Sequence, residues 1–383
     1  MPNFSGKWTL TEQAQGAAAG TWTGIPQYEL YTWGAGSVGR LGHNDVISRS
    51  SPTQVGELAT WSQVSSGFAQ TSAIKTDGTL WTWGYNNVGQ LGQNTTANIS
   101  SPTQVGALTT WSGVSNTRYH GAAIKTDGTL WTWGLGSSGQ LGQNSTTATS
   151  SPVQVGALTV WAKASAGGFH TAAIKTDGTL WTWGSGGSGR LGQNNTTSFS
   201  SPVQVGALTT WAQVSAAGTH TAAIKTDGTL WTWGLGNGGR LGHNDVIMRS
   251  SPTQVGALTN WVQVSAGDDT TAAVKTDGTL WTWGDNGNGR LGINADQATD
   301  FSSPVQVGAL TNWSQVSTRL DFAGAVKTDG TLWMWGSNSD GTLGLNEPAL
   351  NARSSPVQVG SLTTWSQVSI GRDHSAAINQ TTT

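Results

Sequence analysis

The chain has 383 residues, among them 54 Gly, 22 Trp and no Cys, with 10% charged residues and a formal net charge of -2. A 36% hydrophobic fraction at this length is enough to build a core, so disorder is excluded, and the missing Cys excludes disulfide staples and thiolate metal sites. The balance of charge argues against a nucleic-acid binder, which needs a basic footprint, and no apolar stretch is long enough for a membrane-spanning helix.

Residues 1–27 stand apart from the rest of the chain. Thr9-Leu10-Thr11-Glu12 fits a capping box and predicts a short helix ended by Gly20. The segment lacks the continuous apolar block of a secretory signal. A helix of about three turns is marginal alone, so the segment is expected to dock or to tether, with Trp8, Leu10 and Trp22 as its candidate anchors.

Residues 28–383 are repetitive. Trp-Gly recurs at Trp33, Trp83, Trp133, Trp183, Trp233, Trp283 and Trp335, and Ser-Ser-Pro at Pro52, Pro102, Pro152, Pro202, Pro252, Pro304 and Pro356. Each Pro lies 31 residues before the next Trp-Gly, whereas the interval from Trp-Gly to Pro is 19 in five copies and 21 in two. The length variation therefore falls in one segment, which marks it as a surface loop. Within a unit, Ala172–Lys175 leads through Thr176-Asp177-Gly178 into Thr179–Gly184, two strand-like runs about an Asp-Gly hairpin turn. A Gln-Val-Ser-like stretch after Trp61, Trp111, Trp161, Trp211, Trp261, Trp313 and Trp365 and a run after each Pro supply two more strands. Four antiparallel strands per repeat is the pattern of a propeller blade, and the Gly and Thr content opposes a helical solenoid.

The chain ends indicate closure. The Lys-Thr-Asp-Gly turn occurs six times for seven units. The seventh is cut open, with one strand at Ser375–Asn379 and its partner at Glu29–Gly34. Pairing them shuts a ring and leaves no exposed blade edge. The predicted fold is all-β: a closed seven-bladed propeller of four-stranded antiparallel blades, the last completed by the N- and C-terminal strands.

The string Gly-x-x-His-Thr-Ala-Ala-Ile-Lys-Thr-Asp-Gly-Thr-Leu-Trp-Thr-Trp-Gly, with Gly-Gln/Arg-Leu-Gly and Ser-Pro, resembles the repeat of the regulator of chromosome condensation superfamily over residues 28 to 379. The resemblance implies a seven-bladed propeller whose last blade uses both termini. It implies little about function, because that superfamily includes an exchange factor, a photoreceptor and an enzyme inhibitor. Separately, Phe4-Ser5-Gly6-Lys7-Trp8-Thr9-Leu10-Thr11-Glu12-Gln13-Ala14-Gln15 resembles the leader of structural proteins of marine tailed phages.

Twenty of the 22 Trp occupy three repeat positions and are expected to build the core rather than to serve photochemistry. His120, His170, His220 and His374 share one repeat position; a hydrogen bond to the local turn is expected there rather than a shared metal. His43 and His243 read as a duplicated loop. Gly34–Gly39 matches Gly-x-Gly-x-x-Gly, but no helix follows, so a loop and no cofactor are expected. No nucleophile, base and acid stand apart from the repeat, so no enzyme is expected. The Lys and Asp of each turn, such as Lys175 and Asp177, read as a solvated pair of little energetic weight. Residues 268 to 373 carry an acidic tilt, which suits solubility, a basic partner or a cation.

Where the units differ, function is expected. The loop before the His position reads Arg118-Tyr119, Asp268-Asp269, Arg319-Leu320-Asp321 and Arg372-Asp373 in four of the units, and these loops are expected to converge into a partner-binding surface. The favoured reading is a non-enzymatic scaffold with a protein partner, tethered to a phage virion or meeting a host surface. A guanine-nucleotide exchange regulator, an enzyme inhibitor, or a glycan binder using Tyr85, Tyr119 and Phe199 are the alternatives.

Overall fold

The computed structural model describes residues 26–57, 59–347 and 351–382, so the expected N-terminal helix and its anchors Trp8, Leu10 and Trp22 lie outside the described residues. Seven four-stranded antiparallel sheets make up the fold. Blade 1 runs from Trp61 to Gln104, and blades 2 to 6 follow in order from Trp111, Trp161, Trp211, Trp261 and Trp313. Blade 7 joins Trp365–Ile370 and His374–Thr382 to Pro26–Gly34 and Arg49–Gln54, so both ends of the chain share one sheet as predicted.

Each blade starts at the axis with the strand that carries Gln-Val-Ser. A strand at the axis has one edge without a sheet partner, which leaves backbone N–H groups to be satisfied. The preceding blade supplies the acceptors. The Ser hydroxyls of residues 65, 115, 165, 215, 265, 317 and 369 accept from the N–H of Asn116, Ala166, Ala216, Ala266, Thr318, Ile370 and Ser66 at 2.8–3.1 Å. The last of these bonds carries the circuit from blade 7 back to blade 1, so the ring is closed by side chains as well as by the shared sheet. Five blades add a Gln amide one residue pair away, as Gln213 does for Val264 N–H at 3.1 Å. Replacing Ser215 by Ala leaves the Ala266 N–H without its acceptor. The expected cost is about 1–3 kcal/mol, read as a shift of the urea midpoint with unchanged slope.

The blades pack through aromatic rings. Trp33, Trp83, Trp133, Trp183, Trp233, Trp283 and Trp335 are fully buried, and each donates its indole N–H to a carbonyl in the Gly-x-Leu-Gly loop of the preceding blade at 2.9–3.0 Å. That loop needs its second Gly: at Gly142 (φ +69°) a Cβ would lie 2.6 Å from Trp183 Nε1. The core reading of the Trp repeat is correct.

The turn Lys departs from the sequence expectation. Lys75, Lys125, Lys175, Lys225, Lys275 and Lys327 form no ion pair with the turn Asp among the described residues; each ammonium lies over the next strand's indole, 3.6–3.7 Å from the ring centre of Trp81, Trp131, Trp181, Trp231, Trp281 or Trp333. Asp177 instead accepts from Thr179 N–H at 2.9 Å and Thr179 hydroxyl at 2.7 Å, and these bonds hold its carboxyl below the usual range. Gly178 (φ +77°) turns the chain. The Lys is thus a ring-capping group, with its stem buried against two indoles.

Candidate functional site

The His position sits where the second strand of each blade begins, and its side chain is wholly buried. The expected local hydrogen bond is found only at His120, whose Nδ1 lies 3.5 Å from the Thr117 hydroxyl, and the main tie of all four lies elsewhere. His120, His170, His220 and His374 reach the next blade, with Nε2 2.8–2.9 Å from the hydroxyls of Thr171, Thr221, Thr271 and Thr71. Each of those hydroxyls donates its single proton to a backbone carbonyl, as Thr221 does to Arg190 at 2.9 Å. It must therefore accept from the imidazole, which fixes the Nε2–H tautomer. Nδ1 of His170, His220 and His374 has no partner, and a second proton there would have no acceptor. Burial pushes His120 and His220 down to about 3, and pushes His170 and His374 down as well, so all four are neutral. Where Gln70 replaces His, its amide donates to the Thr117 carbonyl of the next blade. These residues are blade-to-blade ties, and each is committed to a different neighbour.

Beyond this row of ties lie the loops that differ between copies. Neighbouring loops bond through their backbones: Phe68 N–H to Thr117 O at 3.3 Å, Gly168 N–H to Ala217 O at 2.9 Å, and Arg372 N–H to Gly67 O at 3.3 Å. Phe68, Arg118, Phe169, Arg190, Thr219, Asp268, Asp269 and Arg319 line one depression of about 280 Å³. They come from six of the seven blades, which places the depression on the axis.

Its floor and rim are aromatic and cationic. Phe68 is flanked by two guanidinium groups, Arg118 and Arg372, each 4.3 Å from its ring centre. Tyr119 packs against Phe169 at 5.1 Å between ring centres and lies 4.9 Å from Arg118. Asp268 and Asp269 form the opposite, acidic wall.

Of the eight residues singled out from sequence, Arg118, Asp268, Asp269 and Arg319 line the depression, and Tyr119 and Arg372 buttress it. Asp321 and Asp373 do not line it. They pair with Arg290 at 2.7 Å and Arg40 at 3.1 Å, and Asp269 similarly meets Arg240 at 2.7 Å. These arginines belong to Gly-Arg-Leu-Gly loops, and they pin the variable loops in place. Part of the acidic tilt is thereby internally compensated. Sequence reasoning missed Phe68, which shares the repeat position of Arg118, and Phe169, which shares that of Tyr119. Comparing those two columns across units would have found them.

No helix among the described residues is long and apolar enough to cross a membrane. The loop at Gly34–Gly39 leads through a single 3-10 turn, Ser37–Gly39, and not into an α-helix. Solved structures with the same architecture include Kap60 bound to yeast RCC1 (Prp20), at TM-score 0.83 and 19% identity over 94% of this chain and 91% of that one. Prp20p from Saccharomyces cerevisiae, described with its binding to Gsp1p and histones, matches at TM-score 0.82 and 19% identity over 94% and 92%. Human WBSCR16 matches at TM-score 0.80 and 20% identity over 92% and 98%. The family model described as the RCC1-like domain matches residues 29–377, nearly the whole propeller, and the chain belongs to that family.

Proposed function

We propose that the protein is a non-enzymatic binding module whose protein partner seats on the axial depression. The observation that carries this reading is the contrast between repeat and variation. The strands, indole ties and His ties recur from blade to blade, while the loops that meet at the axis differ and together present Arg, Tyr and Phe. Aromatic and Arg side chains in a desolvated hollow are the usual anchors of an interface. Arg118 and Arg372 stacked on Phe68 keep their outer N–H groups for carboxylates or carbonyls of a partner, while Asp268 offers the opposite charge across the hollow. Asp321 and Asp373 act through the loop positions they hold.

The more specific reading is a component of a tailed-phage virion, tethered by residues 1–27 with Trp8, Leu10 and Trp22 as anchors, and displaying the propeller to another virion protein or a host surface. It rests on the leader string alone. Purified particles test it: the full chain should be incorporated, and a chain lacking residues 1–25, which keeps the closing strand Pro26–Gly34, should be lost from them. Incorporation of the shortened chain removes the tether. An exchange regulator is the second reading, supported by the family and by the similarity to a protein described as binding Gsp1p. Accelerated nucleotide release from a small GTPase would favour it over the virion reading. In either case the double charge reversal Arg118→Glu with Arg372→Glu is expected to weaken partner binding by at least about a hundredfold, near 3 kcal/mol, with an unchanged melting curve. Unaltered affinity in a titration would move the interface elsewhere.

A further inference from the structure

The strand nearest the axis is much the same in every blade, and its third residue departs from the repeat in two neighbouring copies. Five blades have Gln there, as Gln63, Gln213, Gln263, Gln315 and Gln367, whereas blade 2 has Gly113 and blade 3 has Lys163. Each Gln accepts through Oε1 from the N–H of the fourth strand residue in the next blade. Gln213 does so from Val264 at 3.1 Å, and Gln263 from Val316 at 3.0 Å. Gly113 offers the Ala164 N–H no such acceptor, and Lys163, a donor, offers the Val214 N–H none. Ala164 is itself the one small residue in a column that is otherwise Val. Three departures from the repeat thus stand side by side.

Together they open a polar notch of about 360 Å³ in the wall of the axial channel, with Gly113, Ser115, Lys163, Ala164, Gln213 and Val214 in its lining. A Cβ added at Gly113 would meet no atom within 4 Å, so the space that Gln fills in five other blades is open here. Ala164 is accordingly half-buried, whereas its Val counterparts are buried. The notch is rich in donors. Lys163 is the only charged residue on the seven inner strands and forms no ion pair among the described residues. One of its three protons goes to the Ala212 carbonyl at 2.6 Å. The Ser115 hydroxyl accepts from Ala166 N–H at 3.0 Å, and its own proton has no acceptor among the described residues. No Asp or Glu lines the notch.

A wall that holds one cation, two backbone N–H groups and a hydroxyl proton, without a carboxylate of its own, calls for an acceptor. The repeat shows which kind fits, since an sp² oxygen of Gln meets the same N–H in five other blades. A carboxylate presents two such oxygens, and its single negative charge matches the single ammonium. Hydrogen bonds to an ionised acceptor are about twice as strong as neutral ones. A phosphate dianion would leave half its charge unmatched. We propose that this notch is a carboxylate-binding site in the axial channel, with Lys163 as counter-ion and the Ala164 and Val214 N–H groups as orienting donors. It lies at mid-strand and shares no lining residue with the depression formed by the loops, so the two sites are separable by experiment.

Backbone amide spectra of the intact chain, titrated with sodium glutarate, test the site, with sodium chloride and sodium phosphate as controls. Glutarate should move the Ala164 and Val214 amides and leave those of Val264 and Val316, which already hold their Gln oxygens, in place. A short peptide ending in Glu distinguishes the sources of the carboxylate. Tighter binding than glutarate assigns it to a protein partner and weaker binding to a free small acid, and either order supports the site. Gly113→Gln with Lys163→Gln restores the repeat, so this variant should melt no lower and bind glutarate at least about tenfold more weakly, as expected for a lost charge-assisted contact. Lys163→Gln alone keeps Gly113 and should also weaken binding about tenfold. Amides unmoved by glutarate, equal shifts in chloride or phosphate, or undiminished affinity in either variant would overturn the proposal.

Discussion

Removing residues 374–382 is expected to abolish folding of the monomer rather than to trim its end. In the other blades the two middle strands are held by five registered pairs and a covalent turn, as between His170–Ile174 and Leu180–Gly184. Blade 7 has no turn, and its terminal strands pair over nine residues, from Pro26↔Thr382 to Gly34↔His374. The four extra pairs replace the missing link, and side chains finish the join. Asn379 stands where other blades have Lys, Glu29 where they have Thr, and Tyr31 where they have Trp. Asn379 Nδ2 and the Tyr31 hydroxyl both donate to the Glu29 carboxylate, at 3.1 and 3.0 Å. Burial first, then this carboxylate, pushes the Tyr31 phenol up to about 12. Losing nine backbone pairs at a net worth of about 1 kcal/mol each, together with the burial of Leu30, Trp33, Ala376 and Ile378, exceeds a typical total stability of about 5–15 kcal/mol. A circular permutant that joins Thr382 to Pro26 by a short linker and opens the chain at Asp227-Gly228 keeps every strand, so it should fold and melt as one transition. Circular dichroism and gel filtration of the two variants check this. A folded monomeric truncation would show that the ring does not depend on its seam.

The fold was legible because repetition multiplies every signal. One Asp-Gly turn is a weak hint, but six of them with a seventh cut open define both the blade and its closure. The hairpin at residues 170–184 and the pairing of the termini follow from local propensity, which tertiary packing here reinforces. What could not be read was which neighbour each side chain serves. The His row and the Gly-x-Leu-Gly loop act across blades, between residues 43 to 51 positions apart within the chain and 303 or 309 apart across the seam, and no local pattern reports such contacts. The same limit misassigned the turn Lys to Asp, since the competing indole lies on the following strand. The axial site was half visible: divergence among copies pointed to the loops carrying Arg118 and Asp268. Charge along the chain could not show that Asp321 and Asp373 are consumed by arginines of other loops.

Acid should unfold the protein well above the carboxylate range. His120, His170, His220 and His374 carry no charge when folded, because burial in a hydrogen-bonded seam depresses their basicity. In the unfolded chain they titrate near the ordinary 6.5. Between that value and about 3 the unfolded state therefore binds protons that the folded state refuses, and stability falls as pH falls. Each His contributes about 1.4 kcal/mol per pH unit in that window, and four give about 5 kcal/mol per unit as an upper bound. His43 and His243, held down to about 4 with Nε2 on the hydroxyls of Thr32 and Thr232, add to the upper part of the window, between 6.5 and about 4. The depressed turn carboxylates act in the same direction only once pH approaches 3.8, the ordinary value for Asp. Against a stability of about 5–15 kcal/mol, the His row alone places the acid transition near pH 5. Urea unfolding at steps from pH 7.5 to 4.5 reads the slope directly. Gln70 shows that an amide is accommodated at this position, so replacing all four His by Gln should flatten the slope while preserving much of the stability at neutral pH. A native protein whose stability is level between pH 6.5 and 5 would mean that the imidazoles accept protons in place, which their closed seam forbids.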